Sequence, residues 1–353
     1  MGDFLMPSLG ADMEAGTIVE WRVHPGDVVH RGDVVAVVDT DKSDIEVEVF
    51  EDGVVEELLV DEGRSVAVGT PLARIGGPTD ARATTPPPQE AGHVRASPLA
   101  RRRAAETGVD LSVVAGSGPD RAVVARDLAS AEPPAERTAV PERREAGRRA
   151  VGALMARSAR EIPHYYLAST VDLGPATAWL AERNAARPVA QRLLPAVLFV
   201  KATAMAAQAV PTLNGFWTDG FEPAAAVHVG MAVSLRGGGL VAPALHHADR
   251  LDLDELMTAL RDLVGRARAG KLRSSEMSDP TITVTSLGEE GADEVFGIIY
   301  PPQVALVGFG RVVERPWAAG GMLAARPTVR VTVAADHRAS EGHEGSRFLA
   351  TIE

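Results

Sequence analysis

The sequence predicts a multidomain chain in which a small all-β unit, a small helical unit and a large α/β unit are joined by two linkers. Three observations lead to this prediction: an internal β-type repeat at the N-terminus, two proline- and alanine-rich segments, and alternating helix and strand patterns in the remainder. With 353 residues the chain is long enough for more than one domain. The predicted boundaries are 1–76 for the β unit, 77–93 and 131–147 for the linkers, 94–130 for the helical unit and 148–353 for the α/β unit.

The N-terminal repeat predicts two similar β-sheets. Segment 19–29 is echoed by segment 55–66: each begins with Val-Glu, continues with apolar residues and reaches a glycine before its last valine. Between the two repeats, strand-like stretches at 33–38 and 45–49 flank Lys42, which places this lysine at a predicted hairpin tip. A lysine in such a turn is usually only a solvated cation, so an unmodified side chain and a site of covalent modification are both open interpretations.

The negative charge of the chain is concentrated in the same unit. Residues 1–76 hold 17 acidic and five basic side chains, and this balance of −12 equals the formal net charge of the whole chain. So acidic a module argues against nucleic acid as a partner. It suits a mobile carrier that visits basic active-site entrances, although a merely solvated surface is the simpler interpretation.

The composition limits the remaining classes of function. The chain has no cysteine, which excludes disulfides and cysteine-based metal sites, so any thiol chemistry must come from cofactors. We find no basic-then-apolar leader and expect no apolar run of 18 or more residues that would span a bilayer. The expected protein is therefore cytoplasmic, without a membrane partner.

The segment between the two linkers predicts a short helix that carries basic side chains. Ser97 is a candidate N-cap, with Pro98 at the first helical position. The helix that follows contains the run Arg101, Arg102 and Arg103. These arginines are either a solvated helix face or a grip for an acidic partner, and so small a unit buries little by itself.

The C-terminal unit predicts a mixed α/β sandwich. Helical patterns at 149–160, 194–210 and 253–270 alternate with strand-like runs, the last of which leads into His337 and Glu341. Histidine suits general-base work because its pKa lies near neutrality. A lone histidine is more often packed or exposed without a role, so its sequence context has to decide.

The lysine segment Asp41-Lys42-Ser43, within its acidic repeat, resembles the lipoyl and biotinyl domains, whose lysine carries a cofactor. Asp-Lys-Ser is the lipoyl form, whereas biotinyl domains usually have Met-Lys-Met. The resemblance implies an all-β barrel-sandwich hybrid with lipoate attached covalently to Lys42. A biotin carrier is the alternative implied by the same resemblance.

The helical unit resembles the peripheral-subunit-binding domain of 2-oxo acid dehydrogenase acyltransferases. The matching residues are Ala96-Ser97-Pro98, Arg101, Gly108-Val109-Asp110 and Gly116-Ser117-Gly118-Pro119. The resemblance implies a basic grip on the decarboxylase (E1) and on dihydrolipoamide dehydrogenase (E3). Ala105 and Ala122 stand where the family usually has arginine, so Arg102 and Arg103 are expected to contribute beside Arg101.

The segment from Ala335 to Gly342 resembles the His-x-x-x-Asp-Gly signature of dihydrolipoamide acyltransferases and chloramphenicol acetyltransferase, and segments 283–288 and 298–308 fit the same family. The resemblance implies a chloramphenicol-acetyltransferase-like fold that transfers an acyl group from reduced lipoamide to coenzyme A. It implies His337 as general base and Thr285 as oxyanion donor at a trimer interface, in trimers that can build a cubic or icosahedral core. Glu341 stands at the place of the family's aspartate.

Several functions remain open at this point. The first is an acyltransferase of a 2-oxo acid dehydrogenase complex, with acetyl as the favoured group and a branched-chain acyl group as the alternative, because Thr285-Ser286-Leu287-Gly288 resembles those two types. The second is a lipoyl-bearing scaffold whose transferase is impaired by Glu341. The third is a biotin carrier, which leaves the domain of His337 unexplained.

Overall fold

The computed structural model describes residues 2–7, 13, 15–40, 44–76, 97, 100, 123, 136–235, 239–288 and 291–353. Residues 1–79 and 146–353 belong to one compact unit, and residues 80–145 form a second. Lys42 and the three arginines at 101–103 lie outside the described residues.

The N-terminal part of the first unit is all-β, as predicted. Its strands are β1 (Gly2–Leu5), β2 (Ala15–Trp21), β3 (Val28–Val29), β4 (Val34–Asp39), β5 (Asp44–Glu48), β6 (Gly53–Leu58), β7 (Ser65–Ala67) and β8 (Pro71–Gly76). They form one sheet in the order β1-β8-β6-β3 and a second in the order β5-β4-β2-β7. The core between them is aliphatic and includes Ile18, Val38, Ile45 and Leu72, because alternate residues of each strand face inward.

The C-terminal part is an α/β fold. Its elements are α1 (Glu136–Glu161), β9 (His164–Asp172), α2 (Gly174–Asn184), α3 (Pro195–Ala209), β10 (Gly215–Trp217), β11 (Phe221–Pro223), β12 (Val229–Met231), β13 (Val233–Ser234), β14 (Leu240–Val241), β15 (Ala244–Leu245), α4 (Leu253–Ala269), β16 (Leu272–Arg273), α5 (Ser274–Ser278), β17 (Ile282–Ser286), β18 (Ala305–Phe309), β19 (Val313–Ala319), β20 (Met322–Asp336) and α6 (Gly342–Ile352). The central sheet has the order β15-β12-β17-β18-β20-β19, and β9 also pairs with β20. Only the pairs β12–β17 and β17–β18 within it are parallel, so the sheet is mixed.

Helix α3 packs against this sheet. Val197, Val200 and Ala204 on the helix belong to the same buried cluster as Ile282 and Val307 on the strands. Among the described residues, the stretch Val189–Ala209 that contains α3 is long and apolar enough to cross a membrane by length and hydropathy, contrary to the expectation of no such run. In this structure the buried face of α3 packs against the strands of the central sheet.

Helix α4 has clear boundary signals in the sequence. The Asp252 carboxylate accepts hydrogen bonds from the backbone N–H groups of Asp254 and Glu255, and the Glu255 carboxylate accepts one from the Asp252 N–H. Gly270 ends the helix with a left-handed φ of 70°. The predicted helix at 253–270 is therefore confirmed to within one residue.

Helix α1 is longer than predicted. The predicted helix covers 149–160, whereas α1 begins at Glu136, inside the segment 131–147 that the sequence predicted to be a linker. That segment lacks an apolar stripe, but it is rich in alanine, glutamate and arginine, which have high intrinsic helix propensity. The end of the helix agrees with the prediction, since Ile162 precedes Pro163 and a residue before proline disfavours helix.

Candidate active site

The long strand β20 delivers His337 into an exposed turn. β9 pairs with β20 in antiparallel register as far as His164 opposite Asp336, the last residue of the strand. The N–H of His337 donates a hydrogen bond to the carbonyl of Pro163 at 3.0 Å, which extends the strand contact by one residue. The backbone at His337 is therefore fixed by a paired strand, while its ring is exposed to solvent.

An ion pair within the turn holds the residues on either side of His337. The Asp336 carboxylate has 0% of its side chain exposed, and it is bound by Arg338 through Nη2–Oδ2 at 2.6 Å and Nε–Oδ1 at 3.0 Å. The N–H of Arg338 also donates to Asp336 Oδ1 at 2.9 Å. A buried carboxylate needs such charge-assisted partners, and the bidentate geometry restricts the backbone between them.

Arg338 has a second contact that fixes its guanidinium. The group lies 4.6 Å from the ring centre of Trp217 on β10, in a cation–π arrangement. Its hydrogen bonds to Asp336 raise the pKa of Arg338, so the cation is permanent. Asp336 and Arg338 were not among the residues predicted from the sequence, although their opposite charges directly flank the histidine there.

Tyr165 lies against the imidazole from the neighbouring strand. The two ring centres are 5.2 Å apart at an interplanar angle of 66°. The Tyr165 hydroxyl donates to the carbonyl of Glu341 at 3.0 Å and accepts from Ser340 Oγ at 2.9 Å, since one hydroxyl proton serves only one bond. Burial raises the pKa of the Tyr165 phenol, which therefore remains a neutral donor. Tyr165 thus joins β9 to the far end of the turn.

Glu341 occupies the position before helix α6. Its N–H donates to the Glu344 carboxylate at 2.8 Å, as in a capping box, and its carbonyl accepts from Tyr165. The Glu341 carboxylate is exposed and lies 3.7 Å from His343 Nδ1. The backbone of Glu341 thus supports the turn, and the role of its carboxylate stays a prediction.

Thr285 lies far from His337 within one chain. It is half-buried on β17 opposite Gly308 of β18, and Gly308 lies opposite Thr332 of β20. Two strand spacings of ~4.8 Å, combined with five residues at ~3.4 Å along β20, separate Thr285 from His337 by about 20 Å. A single chain therefore does not bring the predicted base and the predicted oxyanion donor together.

A largely apolar cavity of about 340 Å³ lies between α1 and the segment before β18. Its lining includes Leu154, Phe216, Val241, Tyr300 and Gln303. Burial raises the pKa of the Tyr300 phenol, and Gln303 Oε1 accepts a hydrogen bond from Thr283 at 2.7 Å. Concave apolar surfaces with few fixed polar groups are typical of ligand sites.

The other sequence-derived sites lie at the edges of the described regions. β4 and β5 pair as far as Asp39 opposite Asp44, so the stretch that contains Lys42 connects two paired antiparallel strands. Ser97 Oγ accepts a hydrogen bond from the N–H of Ala100 at 3.2 Å, as the side chain of an N-cap does, and the rest of the predicted helix lies outside the described residues. The grip by Arg101, Arg102 and Arg103 stays a prediction.

Three family models match the chain in the predicted order. Residues 137–353 match the 2-oxoacid dehydrogenases acyltransferase (catalytic domain) family. Residues 2–75 match the biotin/lipoyl family described as biotin-requiring enzyme, and residues 94–129 match the e3 binding domain. The first match alone covers more than half of the chain.

Related proteins agree with these matches. The acetyltransferase component of the pyruvate dehydrogenase complex of Zymomonas mobilis is 26% identical, over 99% of this chain and 96% of the relative. A structure described as a probable dihydrolipoamide acetyltransferase of Listeria monocytogenes is 31% identical, with a TM-score of 0.54, over 58% of this chain and 88% of the other. The dihydrolipoamide acetyltransferase of Azotobacter vinelandii is 26% identical, with a TM-score of 0.54, over 57% of this chain and 85% of the other. This chain belongs to the 2-oxo acid dehydrogenase acyltransferase family, and it combines a lipoyl domain, an E3-binding domain and the acyltransferase domain in one polypeptide.

Proposed function

We propose that the chain transfers an acetyl group from dihydrolipoamide, attached to its own Lys42, to the thiol of coenzyme A. The observation that carries the proposal is an exposed histidine, held at the end of β20, that follows a half-buried strand threonine by 52 residues. The Azotobacter structure concerns the catalytic roles of a serine, of a histidine 52 residues further on, and of an asparagine four residues after that. Thr285, His337 and Glu341 have the same spacing.

The chemistry assigned to His337 is general-base catalysis. A thiol with a pKa near ~8.5 is mostly protonated at neutral pH, so removal of its proton creates the nucleophile. The exposed imidazole takes the thiol proton of coenzyme A and returns it to the leaving thiolate of the donor. The hydrogen bonds of Asp336, Arg338 and Tyr165 already order the turn that carries His337. The imidazole therefore keeps its position during both proton transfers.

The chemistry assigned to Thr285 is stabilisation of negative charge on the carbonyl oxygen. A hydroxyl aimed at a developing oxyanion contributes roughly 3–4 kcal/mol. Because about 20 Å separates Thr285 from His337 in one chain, the pair has to be completed by a neighbouring subunit. We therefore propose a trimer in which each active site takes its histidine from one chain and its threonine from the next.

The lipoyl group fits the site proposed for it. The stretch that holds Lys42 joins two strands paired up to Asp39 and Asp44, so its ends are fixed by the sheet. When attached, lipoate supplies the acyl thioester on an arm that reaches several active sites. The E3-binding match and the Zymomonas relative support E1 and E3 as partners, in a complex that uses the soluble substrate coenzyme A. We propose the cytoplasm as its location.

Co-expression of two inactive variants tests the proposal. Thr285→Ala and His337→Ala alone are expected to lower acetyl transfer from acetyl-dihydrolipoamide to coenzyme A by about 10²- to 10³-fold and 10²- to 10⁴-fold, respectively. In randomly mixed trimers, roughly a quarter of the interfaces combine an intact histidine with an intact threonine. Activity should therefore return to about that fraction of wild type.

Activity that stays absent in mixed trimers would contradict the shared site. Full activity of His337→Ala alone would contradict the assigned base. Absence of transfer by folded wild-type protein with acetyl, isobutyryl and succinyl donors would favour the lipoyl-bearing scaffold. A preference for isobutyryl would favour the branched-chain alternative, since pockets separate groups that differ by a methylene by only about 1–3 kcal/mol.

A further inference from the structure

One four-stranded sheet of the lipoyl domain gains a fifth strand from the acyltransferase domain. Strand β16 pairs in parallel with β5, with Leu272 opposite Ile45 and Arg273 opposite Glu46. The sheet order becomes β16-β5-β4-β2-β7. Backbone pairing of this kind covers an open sheet edge, and it is a recurrent mode of peptide recognition.

Glu48, the last residue of β5, has polar partners across this contact. It is 6% exposed. Its N–H donates to Ser274 Oγ at 3.2 Å, and its carboxylate accepts from Ser275 Oγ at 2.6 Å and lies 3.7 Å from Arg273 Nη1. Burying a carboxylate without hydrogen bonds costs free energy. Ser275 and Arg273 of the acyltransferase domain offset that cost for Glu48.

Apolar contacts accompany the polar ones. Met277 on α5 packs against the core of the lipoyl domain and also against the core of the acyltransferase domain. Leu272 and Ile45, which lie opposite each other, are both 1% exposed. The contact therefore has a buried apolar part beside its hydrogen bonds, as specific interfaces do.

The acyltransferase half of the contact is held by bonds that do not involve the lipoyl domain. The Glu276 carboxylate accepts from the N–H of Arg273 at 2.9 Å and from Arg266 Nη1 of helix α4 at 2.6 Å. The bonds from Glu276 raise the pKa of the Arg266 guanidinium. These bonds connect β16 to helix α4, so the strand edge that pairs with β5 is already ordered. This pre-organisation lowers the entropic cost of docking.

We propose that residues 272–278, the docking segment, are a docking site for the lipoyl domain of the same chain, with Glu48 as the residue that the site recognises. β5 begins two residues after Lys42, so docking holds the base of the lipoyl arm beside the acyltransferase domain. This raises the effective concentration of the arm there without a change in the active site. The docking does not require acyl transfer; only its consequence for the rate rests on the proposed function.

Disulfide trapping in the full chain tests the docking, since the protein has no native cysteine. Glu46→Cys and Arg273→Cys place two thiols on directly opposed residues. Neighbouring strands lie ~4.8 Å apart, within the range of Cα separations that a disulfide spans. Mild oxidation is expected to give an intramolecular bond, seen as a shifted monomer band on a non-reducing gel and as one cross-linked peptide. Glu57→Cys with Arg273→Cys is the matched control, because Glu57 lies on β6 in the other sheet.

Two further changes, each added to the trapping pair, test the recognition. Glu48→Ala is expected to slow trapping at least about tenfold, since a buried hydrogen-bonded charge is lost. Ser275→Ala leaves the lipoyl domain unchanged and should also slow trapping. Equal trapping by the control pair, trapping between chains only, or no effect of Ser275→Ala would overturn the proposal. His337→Ala should leave trapping unchanged, which separates this result from any failure of the proposed acyl transfer.

Discussion

At the scale of single residues, the candidate site depends on how its histidine is held. Asp336 and Arg338 lie on either side of His337, and their ion pair closes the turn with the carboxylate fully buried. Tyr165 and Ser340 connect the same turn to strand β9. His337 contacts the Tyr165 ring in an edge arrangement and is itself exposed, which suits a base that exchanges protons with a bound thiol.

Removal of the arginine should show how much the clamp contributes. Arg338→Ala leaves the Asp336 carboxylate buried without its partner, so the free energy of unfolding should fall by about 2–3 kcal/mol, discounted from the fully buried case because Arg338 is partly exposed. The kcat of acyl transfer should fall at least about tenfold with little change in KM, because the ring position is lost rather than a substrate contact. Arg338→Lys should recover part of the kcat.

Arg315→Ala is the matched control for this change. Arg315 forms an exposed pair with Asp293, so we expect little change in the free energy of unfolding and an unchanged kcat. An Arg338→Ala protein that loses stability but retains its kcat would show that the ion pair serves folding alone.

At the scale of elements, most boundaries are consistent with local signals. Asp252 and Gly270 delimit α4 through side-chain and backbone preferences that operate within one turn. The first half of α1 has no such signal, because its helicity rests on propensity rather than on an apolar stripe. Apolar periodicity therefore predicted the second half of α1 but not the first half.

The loops beside β12 and β15 contain a histidine cluster that predicts a pH dependence of stability. His228 lies 4.9 Å from His246 and 4.7 Å from His247 between ring centres, and His246 Nε2 lies 3.0 Å from Asp279. Burial, followed by the two neighbouring histidines, lowers the pKa of His228, while Asp279 opposes this in part. The folded state therefore binds a proton at His228 less readily than the unfolded chain does.

A lowered histidine pKa makes the folded state less stable in acid. The stability that His228 contributes is fully present above the pKa of a histidine in the unfolded chain, near ~6.5. It is lost as the pH falls from there towards the lower pKa of His228 in the folded state, by up to about 1.4 kcal/mol per pH unit. His228→Asn should flatten this slope between about pH 7 and pH 5, measured as the free energy of unfolding at each pH. His343→Asn, on an exposed residue of α6, is the control. Equal slopes for wild type and His228→Asn would contradict the assignment.

At the scale of the whole molecule, the chain combines a carrier domain, a partner-binding domain and a catalytic domain. The excess negative charge lies in residues 1–76. Carrier domains therefore repel one another and are attracted to basic surfaces. The catalytic domain completes its proposed site only with a neighbouring chain, because Thr285 and His337 lie on well-separated parts of one sheet. If the proposed pair is correct, catalysis depends on assembly.

Replacement of the carrier lysine should separate delivery from chemistry. Lys42→Arg keeps the charge but cannot form the lipoyl amide, so the intact mass should lose its lipoyl increment and the reaction of the whole complex should stop. Transfer from free acetyl-dihydrolipoamide should remain within about twofold of wild type, because His337 and Thr285 are untouched. Lys271→Arg, beside the docking segment, is the control. A lipoyl mass increment that persists in Lys42→Arg would contradict Lys42 as the attachment site. Biotin in place of lipoate on the wild-type protein would contradict the assigned cofactor.

The sequence by itself predicted the domain types and their order, which the family matches confirm, and it proposed Lys42, Thr285 and His337 as the residues that carry the chemistry. Those signals are local: a lysine between two strand patterns, a histidine after an apolar strand, and a charge excess confined to one segment. Only the tertiary structure decided that Asp336 is buried against Arg338, that Tyr165 flanks the imidazole, and that β16 joins the lipoyl sheet. Each of these depends on strand register or burial between residues far apart in sequence, and a pattern of nearest neighbours does not contain that information.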